Sequence, residues 1–159
     1  MHPNAQLLTA FYEGFARQDP VPMVKVYAPD AAFSDPAFPN LRGAEIGDMW
    51  TMLTGRAKGF SLTFRDVQAD DTKGSAHWEA KYLFQGGRPV HNIIDATFDF
   101  RDGLVTRHVD HFDLWRWSRQ AVGLPGVLLG WSGFLKNKVQ GQAAKGLAEF
   151  RAKKNGTSA

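Results

Sequence analysis

Cysteine is missing from the 159-residue chain. Disulfides, thiolate metal sites and cysteine nucleophiles are therefore excluded, while the redox compartment stays open. No apolar run approaches the ~20 residues that span a bilayer as a helix. Met1-His2-Pro3-Asn4-Ala5-Gln6 has no basic stretch leading into an apolar one, so a cytoplasmic location without membrane contact is the expectation. There is no Gly-x-Ser-x-Gly and no glycine-rich phosphate loop, which removes the usual serine-hydrolase and nucleotide signatures. Acidic residues nearly vanish toward the end: residues 1–117 carry 12 Lys/Arg against 15 Asp/Glu, a balance of −3, whereas residues 118–159 carry 7 against 1, or +6. These basic residues spread along a helical pattern with few flanking aromatics. They read as a solvated helix face, and no nucleic-acid partner is expected.

What is present is apolar and aromatic: 43% hydrophobic residues, twelve Phe and five Trp, enough for one globular domain and for walling a pocket. Asn4 is placed to cap a helix carrying Leu7, Leu8, Phe11 and Phe15. Asp19-Pro20 opens a second, expected to bury Val21, Val24 and Tyr27 before Pro29-Asp30 ends it. A short strand over 31–35 stops at Pro36, and Ile46, Met49, Trp50 and Leu53 mark a third helix. From Phe60 the period changes to two. Strands from Phe60, from His77 to Phe84, from Val90 to Phe100 and from Leu104 to Trp117 form a meander, separated by turns at 69–74, 85–88 and 101–103. Helices followed by antiparallel strands signal α+β, with helices covering one face of a curved sheet. Beyond Gly123-Leu124-Pro125-Gly126, Trp131, Phe134, Leu135, Val139, Ala143, Leu147 and Phe150 keep helical spacing, interrupted by glycines. This amphipathic tail must dock on something, and Lys153–Ala159 reads as disordered.

The last strand contains RHVDHFDLW. At period two, His108, Asp110, Phe112 and Leu114 share one side, and Arg107, Val109, His111, Asp113 and Trp115 the other. Both faces carry ionisable groups. Charges ordered between aromatics lie either on a wet surface or along a cavity where they have a task.

Three short helices, a strand ending in Asp35-Pro36, and a meander closing on Asp110-His111-Phe112-Asp113-Leu114 resemble the nuclear transport factor two-like superfamily in its SnoaL-like branch. The resemblance covers about residues 5–126. It implies a cone-shaped α+β barrel, a curved, mainly antiparallel sheet wrapped around the N-terminal helices, with residues 127–159 as an added basic helix. Fold does not fix function in this group. Val109–Leu114 running on to Leu124-Pro125 is similar to the last strand of limonene epoxide hydrolase, which puts Asp110 on the carboxylate that deprotonates water. Counting back from Gly87-Arg88, that family's Arg-x-Asp pair falls on His77-Trp78-Glu79, with His77 replacing the arginine. Its Tyr-x-Asn pair falls on Phe33-Ser34-Asp35. Ketosteroid isomerase keeps its proton-shuttling aspartate where Asp35 stands; its two oxyanion donors fall on Phe11 and Ala96, with Tyr12 and Asp95 each one residue away.

Were His77, Glu79, His108, Asp110 and Asp35 to share a cavity, burial and mutual repulsion would drive their pKa values apart, as acid–base chemistry at neutral pH requires. The expected roles are Asp110 as base, Glu79 as acid, His77 as orienter or relay, and Asp35 positioning water or substrate. Phe11, Phe33, Trp50, Phe98, Phe112 and His108 are the expected pocket wall. Epoxide hydration, aldol closure as in SnoaL-type polyketide cyclases, or a proton shift beside a carbonyl would need no cofactor. Asp113, His111, Asp95, His91 and Asp99 fall on the opposite parity, expected to be convex and available to a homodimer contact. His77, Glu79, His91, His108, Asp110 and His111 hold metal-ligand chemistry but lack helical His-x-x-x-His spacing, and no metal is expected. The alternatives are a non-catalytic module binding a small apolar molecule, and an isomerase-like proton shuttle through Asp35.

Overall fold

The computed structural model describes residues 1–123 and 133–157. Pro3 at the first helical position suits α1 (Pro3–Ala16), because proline lacks a donor where none is needed. The cap is His2, whose Nδ1 accepts the Asn4 amide at 3.0 Å. Asn4 instead donates its side-chain amide to the Asp70 carbonyl at 2.9 Å, pinning the helix start to a distant turn. Leu8, Phe11, Tyr12 and Phe15 form the buried stripe. A Cβ on Gly14 would lie 2.3 Å from Pro22 Cγ, so only glycine lets α1 and α2 (Pro20–Val24) approach this closely.

α2 ends earlier than its apolar spacing suggests. Val21 and Val24 are 56% and 42% exposed and Met23 takes the buried position. Tyr27, expected on that helix, opens β1 (Tyr27–Ser34) instead. Tertiary pairing overrides the local pattern: Tyr27 lies opposite Val105, and the Val105 amide donates to the Val26 carbonyl at 2.8 Å.

The chain continues through β2 (Leu41–Arg42), α3 (Ala44–Arg56), β3 (Lys58–Ala69), β4 (Lys73–Phe84), β5 (Arg88–Arg101) and β6 (Leu104–His111). These strands form one curved sheet in the order β2-β1-β6-β5-β4-β3, which does not close on itself. Every pairing is antiparallel except β1 with β6, which is parallel. Its inner face, under α1 and α3, carries Trp78, Ile94, Ala96, Phe98, His108 and Asp110, all buried. Fully burying a Phe-sized side chain contributes roughly 1.5–3 kcal/mol, so this aromatic interior is the main source of stability.

β6 stops at His111 rather than Trp117. Asp113 accepts the Arg116 amide at 3.1 Å and caps α4 (Leu114–Val122), turning the chain from strand to helix. Trp117 Nε1 then donates to Tyr82 Oη at 2.7 Å, fastening α4 to the sheet. The Leu124-Pro125 pair, Trp131 and the boundary at 126/127 lie outside the described residues. α5 (Gly133–Thr157) continues through most of the stretch expected to be disordered. It docks on α3: Leu147 is buried, Arg151 and Lys154 both hold Asp48, at 2.8 and 2.6 Å, and the Arg56 guanidinium lies 5.8 Å from the Phe150 ring centroid. Among the described residues no helix is long and apolar enough to cross a membrane.

Candidate active site

His108 and Asp110 occupy alternate positions of β6, both pointing inward, at 0% and 3% exposure. Their side chains meet at 2.8 Å, Nε2 to Oδ1. Trp78 Nε1 approaches the same oxygen at 3.4 Å. On the other side of the imidazole, Nδ1 lies 2.8 Å from Tyr27 Oη, which accepts from Trp50 Nε1 at 2.9 Å. Aromatic rings enclose the imidazole: Phe98 at 4.3 Å between centroids, Phe33 at 4.9 Å and Phe11 at 6.0 Å. Buried polar groups are stable only when their polar atoms are paired, and this network pairs them.

Asp35 joins the site through strand register. The parallel pairs Phe33 with His108 and Ser34 with Val109 bring the end of β1, and Asp35 just beyond it, alongside Asp110. Its Oδ1 accepts the amides of Ala37 and Phe38 at 2.7 and 2.6 Å. The residue as a whole is half-buried, yet its carboxyl is packed into protein. Burial, reinforced by the Asp110 charge and opposed by those two amides, pushes Asp35 up to about 7. Tyr12, fully buried on α1, stacks on Phe64 and lies against Trp78. Burial first, and the Asp110 charge second, raise its phenol well above the ordinary value. Among the described residues, Tyr12 Oη is the buried side-chain polar atom that has no hydrogen-bond partner.

His77 and Glu79 are elsewhere. On β4 the inward residues are Ala76, Trp78 and Ala80, so the polar residues between them face outward. There His77 Nε2 meets Glu79 Oε2 at 2.9 Å and His77 Nδ1 meets Asp95 Oδ1 at 2.8 Å, while His91 Nε2 meets Glu79 Oε1 at 2.7 Å. Hydrogen bonds from His77 and His91 lower Glu79, and those to Glu79 and Asp95 raise His77. The expected carboxylate pair of Glu79 and Asp110 is therefore split across the sheet. Across β5 and β4, Asp110 faces Ala96 and then Ala76 instead. The same division separates His77 and Glu79 from His108 and Asp110 as shared metal ligands. Asp95, weighed as an oxyanion donor, is also outward, whereas Tyr12 is inward.

A model of the SnoaL-like domain matches residues 8–108, most of the α+β body and the strand bearing His108. The chain belongs to the SnoaL-like domain family. No curated protein matches it. Among solved structures, an LEH-like epoxide hydrolase from M. tuberculosis is similar at 18% identity and a TM-score of 0.64, covering 80% of this chain and 96% of that one. A protein from Catenulispora acidiphila with a ketosteroid isomerase-like fold, in complex with trimethylamine, has 17% identity and a TM-score of 0.66, covering 83% and 99%. These two share the fold alone. A protein from Xanthomonas campestris pv. campestris assigned as a polyketide cyclase reaches 26% identity and a TM-score of 0.61, covering 75% and 96%.

In this SnoaL-like domain Phe11, Phe33, Trp50, Phe98 and His108, expected as a pocket wall, are buried at 0–2% exposure among the core residues, and Phe112 packs partly buried against that core. They fill it tightly. Cavities of about 210 and 240 Å³ lie elsewhere, one over the outer face beside Asp99, Arg107 and His111, the other near Tyr82, His91 and Gln120. Sequence reasoning missed Tyr27, assigned to a helix, and Trp78, overlooked between His77 and Glu79. The alternation of Ala76, Trp78 and Ala80 with His77, Glu79 and Lys81 carried the signal for the second.

Proposed function

We propose that this SnoaL-like protein is a cofactor-independent acid–base enzyme acting on a small, largely apolar molecule that carries a carbonyl or epoxide oxygen. The observation that carries the reading is the buried His108–Asp110 pair at 2.8 Å, beside a second carboxyl, Asp35, pushed up to about 7. Two carboxyls whose environments differ this much suit a base and an acid. Asp110, supported by His108, accepts a proton from the substrate carbon or from an attacking water, and protonated Asp35 returns one to the developing oxygen. Tyr12 Oη supplies a further donor for a polar atom of the ligand. Aromatic walls supply affinity for an apolar body. The relatives named as epoxide hydrolase and polyketide cyclase support both substrate types, and the missing Glu79 partner favours the carbonyl chemistry of the second.

The test is turnover of a panel of cyclisable ketones and epoxides by wild type and Asp110→Asn, with ligand binding and thermal stability measured alongside. Wild-type turnover lost in the variant at unchanged fold supports the reading. Equal binding with no turnover in either sinks it and leaves a non-catalytic binding domain, a rival favoured by the tight filling of the interior. An isomerase-like shuttle through Asp35 is favoured by its position near neutrality and by Tyr12. It predicts that Asp35→Asn, rather than Asp110→Asn, abolishes proton exchange at the substrate carbon.

A further inference from the structure

Resting on that reading of the site, one part of its hydrogen-bond chain is decided by counting hydrogens. Trp50 Nε1 is a donor without acceptor capacity, so its 2.9 Å contact makes Tyr27 Oη an acceptor. The Tyr27 phenol has one hydrogen of its own. Its remaining partner is His108 Nδ1 at 2.8 Å, which must therefore present a lone pair. The imidazole hydrogen is then on Nε2, directed at Asp110 Oδ1 at 2.8 Å. With the ring reversed, the phenol hydrogen would have no acceptor and an imidazole lone pair would face a carboxylate. Both faults would lie in a buried interior, where an unmade hydrogen bond is costly. The rings of Phe98 and Phe33 pack against the imidazole, at 4.3 and 4.9 Å between centroids.

We propose that Tyr27, held by Trp50, is a positioning residue that locks His108 as the Nε2–H tautomer and thereby holds the Asp110 carboxylate in its working orientation. Tyr27 touches no reacting atom in this scheme. It acts through His108, and Trp50 acts through Tyr27, so a residue of α3 and one of β1 jointly set the proton inventory of β6.

The test is nitrogen-15 NMR of the histidine side chains in the full chain, with His108 assigned by its loss in His108→Gln. The expected wild-type pattern is a lone-pair Nδ1 and a protonated Nε2. In Asp110→Asn, whose amide can either donate or accept, Tyr27 alone should keep the hydrogen on Nε2; adding Tyr27→Phe should give a mixed tautomer, and adding Trp50→Phe instead a smaller shift in the same direction. On the best substrate of the panel, Tyr27→Phe should lower kcat by about 10- to 100-fold with KM little changed. A wild-type ring protonated on Nδ1 overturns the proposal, with no variant needed. So does an Asp110→Asn, Tyr27→Phe protein whose His108 signals match those of Asp110→Asn alone. Failure of the acid–base reading is separately visible, as turnover indifferent to Asp110→Asn while the tautomer still follows Tyr27.

Discussion

The two faces of the sheet carry nearly the same short pattern, His-x-acid, with opposite outcomes. His108-x-Asp110 points inward, is buried, and is enclosed by Phe, Tyr and Trp rings. His77-x-Glu79 points outward and joins Asp95 and His91 in a network open to solvent. Water screens the second, so its ion pairs weigh little on stability. The first has no such relief, so each proton and hydrogen bond there must be accounted for. Identity of residues and spacing thus says little about function until the face is known.

The contrast breaks most visibly by removing one partner from each network. Asp110→Ala should cost about 1–3 kcal/mol in chemical denaturation, because the buried His108 Nε2 hydrogen is left without its acceptor. Glu79→Ala should leave stability nearly unchanged, and a comparable loss in both would show that the outer network is structural. Asp35 gives a pH-dependent contrast. Its folded value near 7 stands above the unfolded value of 3.8, so its stabilising share is full below about pH 4 and lost as pH rises through about 7. Asp35→Asn keeps the acceptor for Ala37 and Phe38, and should match wild type at pH 4 and be more stable at pH 8.5. The gain should be on the order of 2 kcal/mol, discounted for partial exposure. Any falling limb of activity near pH 7 should disappear with it.

A smaller effect is expected at the α5 clasp. Burial alone would raise Asp48, but hydrogen bonds from Lys154 and Arg151 outweigh it and hold the carboxyl below its usual range. That stabilising share is present above pH 3.8 and lost as pH falls through the depressed value. Asp48→Asn should cost about 1 kcal/mol at pH 7 and less in high salt. Smallest of all, His77→Gln should remove a shallow slope of stability that wild type loses as pH rises above 6.5, since His77 is raised by Glu79 and Asp95. A deep slope there would move the outer network into the class of the inner one.

Much of the fold was legible in the residues. The period-two stretches from Phe60 to His111 became β3 to β6, and the turns at Asp70, Gly87 and Asp102 fell where glycine and aspartate suggested. The inward parity of Phe98 and Phe33 was legible as well, since each alternates with polar or small neighbours, whereas that of His108 and Asp110 rested on the family resemblance. The miss at His77 and Glu79 came from counting residues back from a hairpin, where a shift of one inverts the face. The miss at Tyr27 came from an apolar spacing that fits one turn of helix, too short to resist pairing with β6.

Local chemistry decided what local chemistry can: cysteine-free composition, helix starts at Pro3 and Pro20, strand alternation, and the Asp113 cap that ends the last strand. These depend on neighbours within a few residues, whose sterics and hydrogen bonds are written in the sequence itself. The tertiary structure decided which acids became unusual. Asp35 is raised because the fold buries its carboxyl, with β1 running parallel to β6 and bringing it near Asp110, whereas Glu79, turned to the outer face by β4, is lowered by hydrogen bonds from His77 and His91. A pKa depends on dielectric and on charges within a few ångströms, and those distances span dozens of residues of chain.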